Sequence, residues 1–242
     1  SIDSTLQGPP SAMIVLPTRD LALQVSAVAS HFGPVATCLV GQTSIADEKK
    51  FLADQRPQIV IATIGRLIDH LVVGSLNLSS LKWLVVDEAD RMLSKADLDK
   101  WTLILNAVPL TAQRLLFSAT MTANPLKLNK LKLTRPLFIT VGATGTVVAE
   151  EVLVVPNKSM KVRCLIKILE LANTERCLIF CNSNETVTSL SSVLQSLGEI
   201  TVRPFSGNLA GKEREKLLTK FADGRVHCLV STDVFTRGID IP

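Results

Sequence analysis

Trp83-Leu84-Val85-Val86-Asp87-Glu88-Ala89-Asp90 decides how this chain is read, because an apolar run stops abruptly in three acids within four residues. Trp83 to Val86 is β-branched and aromatic, and short enough for a buried strand. Ligands of open α/β sheets sit outside the carboxyl ends of the strands. Asp87 and Glu88 are therefore expected on a rigid rim where a metal-bound phosphate can lie, Asp87 holding Mg²⁺ and Glu88 orienting an attacking water. The plain alternative is a solvated strand-to-helix turn with Asp90 near a helix start.

Outward from that strand, short β-type runs alternate with helical stretches, the pattern of parallel sheets covered by helices on both faces. Strands are expected near 12–16, 35–40, 58–62, 83–87, 113–117 and 137–141, then near 151–155, 177–181, 200–205 and 226–231. Between the two series the pattern breaks into small residues with two glycines, Val141 to Ala149, which reads as a linker. The net charge of +4 divides into +3 over 1–142 and +1 over 143–242, so neither half is a basic tail.

With 242 residues, 47% of them apolar and 20% charged, the chain can bury real cores in one large or two ordinary domains. It contains no run of roughly 18 uncharged apolar residues, and its polar start is no signal peptide, so an intracellular protein without a membrane partner is expected. Five cysteines without a C-x-x-C pair and three scattered histidines point to buried reduced thiols rather than to zinc.

Other strand ends carry polar groups. Thr18 and Arg19 stand between a strand and a helix start, where hydroxyl, guanidinium and backbone N–H suit a phosphate. Gly65 and Arg66 follow a strand in the same way. Each is equally readable as an ordinary capped helix start with a solvated arginine. Ser118 and Thr120 follow the strand near 113–117, where they can bond the acids or serve as turn residues. Asn182 closes a strand in the second half, and Thr232, Asp233, Arg237, Gly238 and Asp240 crowd behind the last one. Gly207 to Glu213 imitates a phosphate-binding loop, but three residues rather than four separate its glycines, and Glu213 stands where a hydroxyl should meet Mg²⁺. It reads instead as a turn opening the helix of Arg214 and Phe221.

Taken in order, PTRDLA (17–22), TIGR (63–66), DEAD (87–90), SAT (118–120), LIFCNS (178–183) and STDVFTRGID (231–240) resemble the motifs of the DEAD-box RNA helicases. The resemblance runs from about Ala12 to the end. It implies an α/β fold of two RecA-like parallel-sheet domains in tandem, residues 1–142 and 150–242 joined by 143–149, that close over ATP with Mg²⁺ and a single strand of RNA. The wording Arg-Asp in PTRDLALQV and the run Leu126 to Pro136 are most similar to the branch that builds the large ribosomal subunit. That implies ribosome-assembly proteins as partners and a nuclear, nucleolar location, with the cytoplasm otherwise.

Carried onto this sequence, the family pattern makes Asp87 the metal-linked acid, Glu88 the water-positioning group, and Ser118 and Thr120 the link from hydrolysis to domain closure. Gly238 and Asp240 would reach the nucleotide. Thr18, Arg19, Gly41, Gly65 and Arg66, with Asn182, Arg214, Thr232 and Asp233, would line the RNA backbone, a sequence-independent mode of contact. The scarcity of aromatic residues, 4% with no tyrosine, agrees with little base stacking.

Departures from the pattern are Ile64 in place of proline, Gln42 in place of a second glycine and Gly211 in place of glutamine. The glutamine motif and phosphate-binding loop that should precede Ala12, and the arginine-rich motif that should follow Pro242, are not in this sequence. Both domains are therefore expected to be truncated, inactive alone and active in a longer parent. A naturally short, catalytically dead RNA- or partner-binding module is the alternative, and a related DNA motor a third.

Overall fold

The computed structural model describes residues 8–32, 36–93, 98–119, 131–133, 135–141, 149–172, 176–198, 200–206, 209 and 211–232. The chain divides into two compact units, 1–140 and 141–242.

The first unit is built on β1 (Ala12–Leu16), whose sequence AMIVL is apolar throughout because both of its faces are covered. β1 pairs in parallel with β3 (Ile59–Thr63) on one side and β4 (Trp83–Val86) on the other. β2 (Ala36–Leu39) and β5 (Gln113–Leu116) extend the sheet to the order β2-β3-β1-β4-β5. Side chains alternate between faces, so Met13 and Val15 meet one core and Ile14 and Leu16 the other. The first core takes Leu52 from α2 (Ile45–Gln55), Leu67 from α3 (Ile64–Val72), Met92 from the single turn α4 (Ala89–Met92), and Trp101 and Ile104 from α5 (Leu98–Ala107). The second is closed by Leu21, Ala22 and Val25 of α1 (Arg19–Ser30).

The helices begin where short hydroxyl side chains can cap them. Thr18 accepts from the Leu21 N–H, Ser44 from Asp47 and Ser183 from Thr186, each at the mouth of a strand-to-helix turn. Asp20 and Asp47 in first turns add a favourable charge at the positive end of the helix dipole.

The second unit repeats the plan with three parallel strands in the order β6-β8-β7: β6 (Cys177–Cys181), β7 (Val202–Phe205) and β8 (Cys228–Thr232). One face packs on α6 (Lys158–Ala172) and α7 (Asn184–Leu197), the other on α8 (Gly211–Ala222), the helix expected behind the imitation phosphate loop.

Two expected strands do not form. Residues 137–141 and 151–155 carry no ladder, and Leu137, Ile139, Val141, Val152 and Val154 are each at least 80% exposed. Their β-type composition measures fitness for a pleated, half-buried surface. Among the described residues no strand edge is paired with them, so that fitness has nothing to act on. The cysteines are free thiols as expected, but only Cys228 is fully buried.

Trp101 is 1% exposed, and its indole N–H donates to the Met92 carbonyl at 2.7 Å, tying α5 to the turn that follows the acidic stretch. Trp101→Ala is expected to lower unfolding free energy by about 3–5 kcal/mol in urea titration, as other buried aromatic truncations do.

Candidate functional site

The acidic turn after β4 is stitched to its neighbours on both sides. The Asp87 N–H donates to the Val15 carbonyl at the end of β1, 3.1 Å away, and the Ala89 N–H to the Phe117 carbonyl beyond β5, 3.0 Å away. Phe117 in turn donates to Val86 at 2.9 Å. Held this way, Glu88 adopts φ +47° and ψ +50°, a left-handed conformation that costs a residue with a side chain about 1–2 kcal/mol. Strain of this kind persists only where the surroundings over-determine it, and it collects at functional sites. Asp87 Oδ1 accepts from the Glu88 N–H at 2.9 Å, which fixes its carboxylate. Glu88 lies 3.7 Å from Arg91 Nη1. Ser118 donates its hydroxyl to Asp90 Oδ1 at 2.8 Å, so Asp90 joins the segment after β5 to the turn after β4. Thr120 lies outside the described residues.

These are hard oxygen donors, the type Mg²⁺ takes, and a single fixed carboxylate suits a cation that keeps waters and draws its other ligands from phosphate. No cluster of three or more His, Cys, Asp or Glu side chains able to cage a metal exists among the described residues. The Asp87 carboxylate is of the donor type that fits a metal site shared with phosphate oxygens.

Across β1, the ends of β1, β2 and β3 bring together Thr18, Arg19, Gly41, Gly65 and Arg66. The Thr18 hydroxyl is engaged in capping α1. Arg19 reaches over to donate to the Gly41 carbonyl. Neither Gly41 nor Gly65 has the positive φ that would demand glycine, and a methyl group placed on either would meet nothing within 4 Å. The fold itself does not require glycine there. Gln42, in contrast, sits at φ +73°. That is the conformation glycine adopts without cost, which explains a second glycine as the usual occupant.

Arg66 is the residue whose placement differs most from expectation. Instead of standing on the rim, it is 8% exposed. Its Nε donates to Glu48 Oε2 at 2.7 Å, its Nη2 to the Thr43 carbonyl at 2.5 Å, and its Nη1 lies 3.7 Å from Asp69. The same Glu48 oxygen meets Nε2 of His70 at 2.7 Å, while His70 Nδ1 meets the Ser75 hydroxyl at 2.7 Å. A carboxylate only accepts, so Nε2 carries the hydrogen, and in the neutral ring Nδ1 accepts from Ser75. Burial works to raise the Glu48 pKa, but hydrogen bonds from Thr43, His70 and Arg66, with the charge of Arg66, outweigh it and hold the carboxyl below its usual value. Nearby, burial pushes the Cys38 thiol up to about 11 despite the charge of Arg19. Glu48 and His70 were not anticipated from sequence. The available signal was the pair Arg66 and His70, one turn apart on the face of α3 that also carries Leu67, since a buried guanidinium needs a partner acid and a buried imidazole N–H an acceptor.

In the second unit, Asn182 is exposed just past β6, and Thr232 ends β8 in register with Cys181. Thr232 is 6% exposed, and its hydroxyl has no hydrogen-bond partner among the described residues. Arg214 lies on α8 with its guanidinium 5.7 Å from the centre of the Phe205 ring, a cation–π distance. Asp233, Gly238 and Asp240 lie outside the described residues.

With this geometry in place, comparison with known proteins identifies the lineage. Residues 1–128 match the DEAD/DEAH box helicase family, and residues 160–242 match the helicase conserved C-terminal domain. The chain belongs to the DEAD/DEAH box helicases. Among its relatives in this family, the RNA helicase CrhR of Synechocystis is 35% identical over 97% of this chain and 49% of its own length. The probable ATP-dependent RNA helicase DDX47 of Mus musculus is 36% identical over 96% of this chain and 52% of its own. The chain thus spans about half the length of the curated relatives it matches. Among solved helicases, Mss116p bound to single-stranded RNA and AMP-PNP superposes with a TM-score of 0.79 at 28% identity, covering 99% of this chain and 53% of that one. S. cerevisiae Dbp5 bound to RNA and ADP BeF3 gives 0.77 at 25%, covering 98% and 61%. The α/β fold of tandem RecA-like domains follows from these neighbours and from the two parallel sheets.

Because the Glu48 pKa is lowered on folding, its contribution to stability is present above its unfolded value of 4.5 and lost as pH falls through the folded value. Urea midpoints measured from pH 7 downward should therefore drop below pH 4.5 more steeply in the wild type than in Glu48→Gln.

Proposed function

We propose that the chain works within an ATP-dependent RNA helicase, coupling ATP hydrolysis to separation of short RNA duplexes or remodelling of RNA–protein particles. The observation that carries this is Glu88, held in a left-handed conformation beside Asp87 by bonds from both flanking strands. A backbone held at that cost places one carboxylate with little freedom, as the positioning of an attacking water requires. Asp87 is the residue that would hold Mg²⁺, which when bound neutralises charge on the phosphates. Ser118 and Thr120, the former through Asp90, transmit the state of that turn to the segment after β5, while Gly238 and Asp240 reach the nucleotide from the second unit.

The RNA strand follows the ends of β1, β2 and β3. Thr18 and Arg19 open one helix, Gly65 opens another, and helix starts present N–H groups that suit phosphate. Gly41 and Gly65 leave room for a backbone to come close. Asn182, Arg214, Thr232 and Asp233 serve the same strand from the second unit, and Arg66 acts from behind by shaping the turn. The RNA-bound neighbours Mss116p and Dbp5 support an RNA substrate. The sequence wording of residues 17–25 and 126–136 supports a place in ribosome assembly, with nucleolar localisation and ribosome-assembly proteins as partners. The three sections of chain expected to act together, residues 1–142, 143–149 and 150–242, correspond to a domain, a linker and a domain.

In the full natural protein, Glu88→Gln is expected to keep ATP and RNA binding while multiple-turnover hydrolysis falls at least about a hundredfold, the scale of a lost acid–base group. Undiminished turnover, or stimulation of the wild type by DNA alone, would refute the assignment. Gly65→Ala should raise thermal stability slightly, since alanine is favoured over glycine in a helix by up to about 1 kcal/mol, yet weaken binding of RNA of any sequence in filter-binding assays. A variant that is more stable and binds RNA normally would remove Gly65 from the RNA path.

A further inference from the structure

We infer that Glu48, which is not on the rim, is the positioning residue that sets the shape of the RNA-facing turn Gly41–Thr43; this rests on the RNA-helicase reading above. Glu48 lies on α2, and its side chain is 12% exposed. Both of its oxygens are committed. Oε2 receives Arg66 and His70, each at 2.7 Å, and Oε1 receives the Thr43 hydroxyl. His70 is wholly buried and braced from behind by Ser75, so the imidazole holds Oε2 in place.

What separates this cluster from an ordinary structural ion pair is where its two arms end. One arm runs from Oε1 straight to the Thr43 hydroxyl, which also lies 2.7 Å from the Val40 carbonyl. The other runs from Oε2 through the Arg66 guanidinium to the Thr43 carbonyl. Both arms therefore hold one residue of one turn. The turn needs holding, because its middle residue is Gln42 in the left-handed region, a state that reverts unless its neighbours over-determine it.

The polarity of the turn follows from the same bonds. Arg19 takes the Gly41 carbonyl and Arg66 the Thr43 carbonyl. With two of its three carbonyls engaged by arginines, the polarity of the turn shifts toward its N–H donors, the sign that suits phosphate. Removing Glu48 frees the Arg66 guanidinium and loosens the Thr43 carbonyl together. RNA affinity is thereby governed by a carboxylate that touches no RNA, while the acidic turn after β4, separated from β3 by β1, is left alone.

The test is RNA-stimulated ATPase activity of the full natural protein with poly(U), alongside anisotropy with a fluorescein-labelled oligouridylate. For Glu48→Gln the KM for poly(U) should rise about tenfold, the scale of one charge-assisted hydrogen bond, with kcat at saturating RNA and KM for ATP within about twofold of wild type. Thr43→Val, an exposed change that keeps shape and removes the hydroxyl, should raise the poly(U) KM in the same direction. The double variant should be no worse than Glu48→Gln alone, because both act through one turn. A folded Glu48→Gln protein with unchanged poly(U) KM, or with its loss in kcat, would overturn the inference. If Glu48→Gln does not fold, an unchanged KM in Thr43→Val overturns it instead. A wild type that shows no RNA stimulation and does not bind the oligouridylate overturns the helicase reading and this inference with it, whereas a stimulated wild type with an unchanged Glu48→Gln KM overturns this inference alone.

Discussion

Every functional side chain of the first unit stands where it does because five parallel strands share one register. β1 is bonded on both edges, Ala12 lying opposite Ile59 on one side and Trp83 on the other. Counting forward, Leu16 meets Thr63, Val15 meets Val86, Leu39 meets Ala62 and Val86 meets Leu116. All five strands therefore finish within a residue or two of one another, and the turns that leave them form a single rim. A slip of one residue would exchange the two cores, since each strand buries alternate residues on opposite faces. Hydrophobic packing thus holds the rim level, although none of the packed residues takes part in its chemistry.

Along that rim the protein uses two different kinds of electrostatics. After β4 the Asp87 and Glu88 carboxylates are half-buried, Glu88 is paired loosely, and the energy is stored in the backbone at Glu88. After β2 and β3 the charges are buried and paired closely, and the backbone at Gln42 is supported by them. The first arrangement keeps a carboxylate available. The second spends a carboxylate, an imidazole and a guanidinium on fixing a turn, and a buried network of that type tolerates the loss of a member poorly because the remaining charge is left without compensation.

Much of this was legible in the residues. Runs such as Ala12 to Leu16 and Cys177 to Cys181 are apolar over a strand's length and end in turn formers, so the covered parallel sheets followed from local chemistry. The abrupt change from Val86 to Asp87 marked the rim for the same reason. Leu137 to Val141 was misread because a strand is a relation between two segments, and composition describes only one. The burial of Arg66 was hidden for a related reason: an arginine after a glycine at a strand end looks solvent-facing until an acid from another helix, Glu48, is brought beneath it by the fold. Eighteen residues separate the two in sequence, and neither local pattern contains the other. The left-handed residues Gln42 and Glu88 were equally hidden, because backbone sign is set by the anchoring bonds on either side.

The exposed stretches Leu137–Val141 and Val152–Val154 bear on the behaviour of the polypeptide in bulk. Both are rich in β-branched or aromatic residues and carry no charge, the composition from which intermolecular cross-β ladders nucleate. Exposed, uncharged ribbons of this composition favour association between copies as concentration rises, a tendency separate from the thermodynamic stability of either sheet.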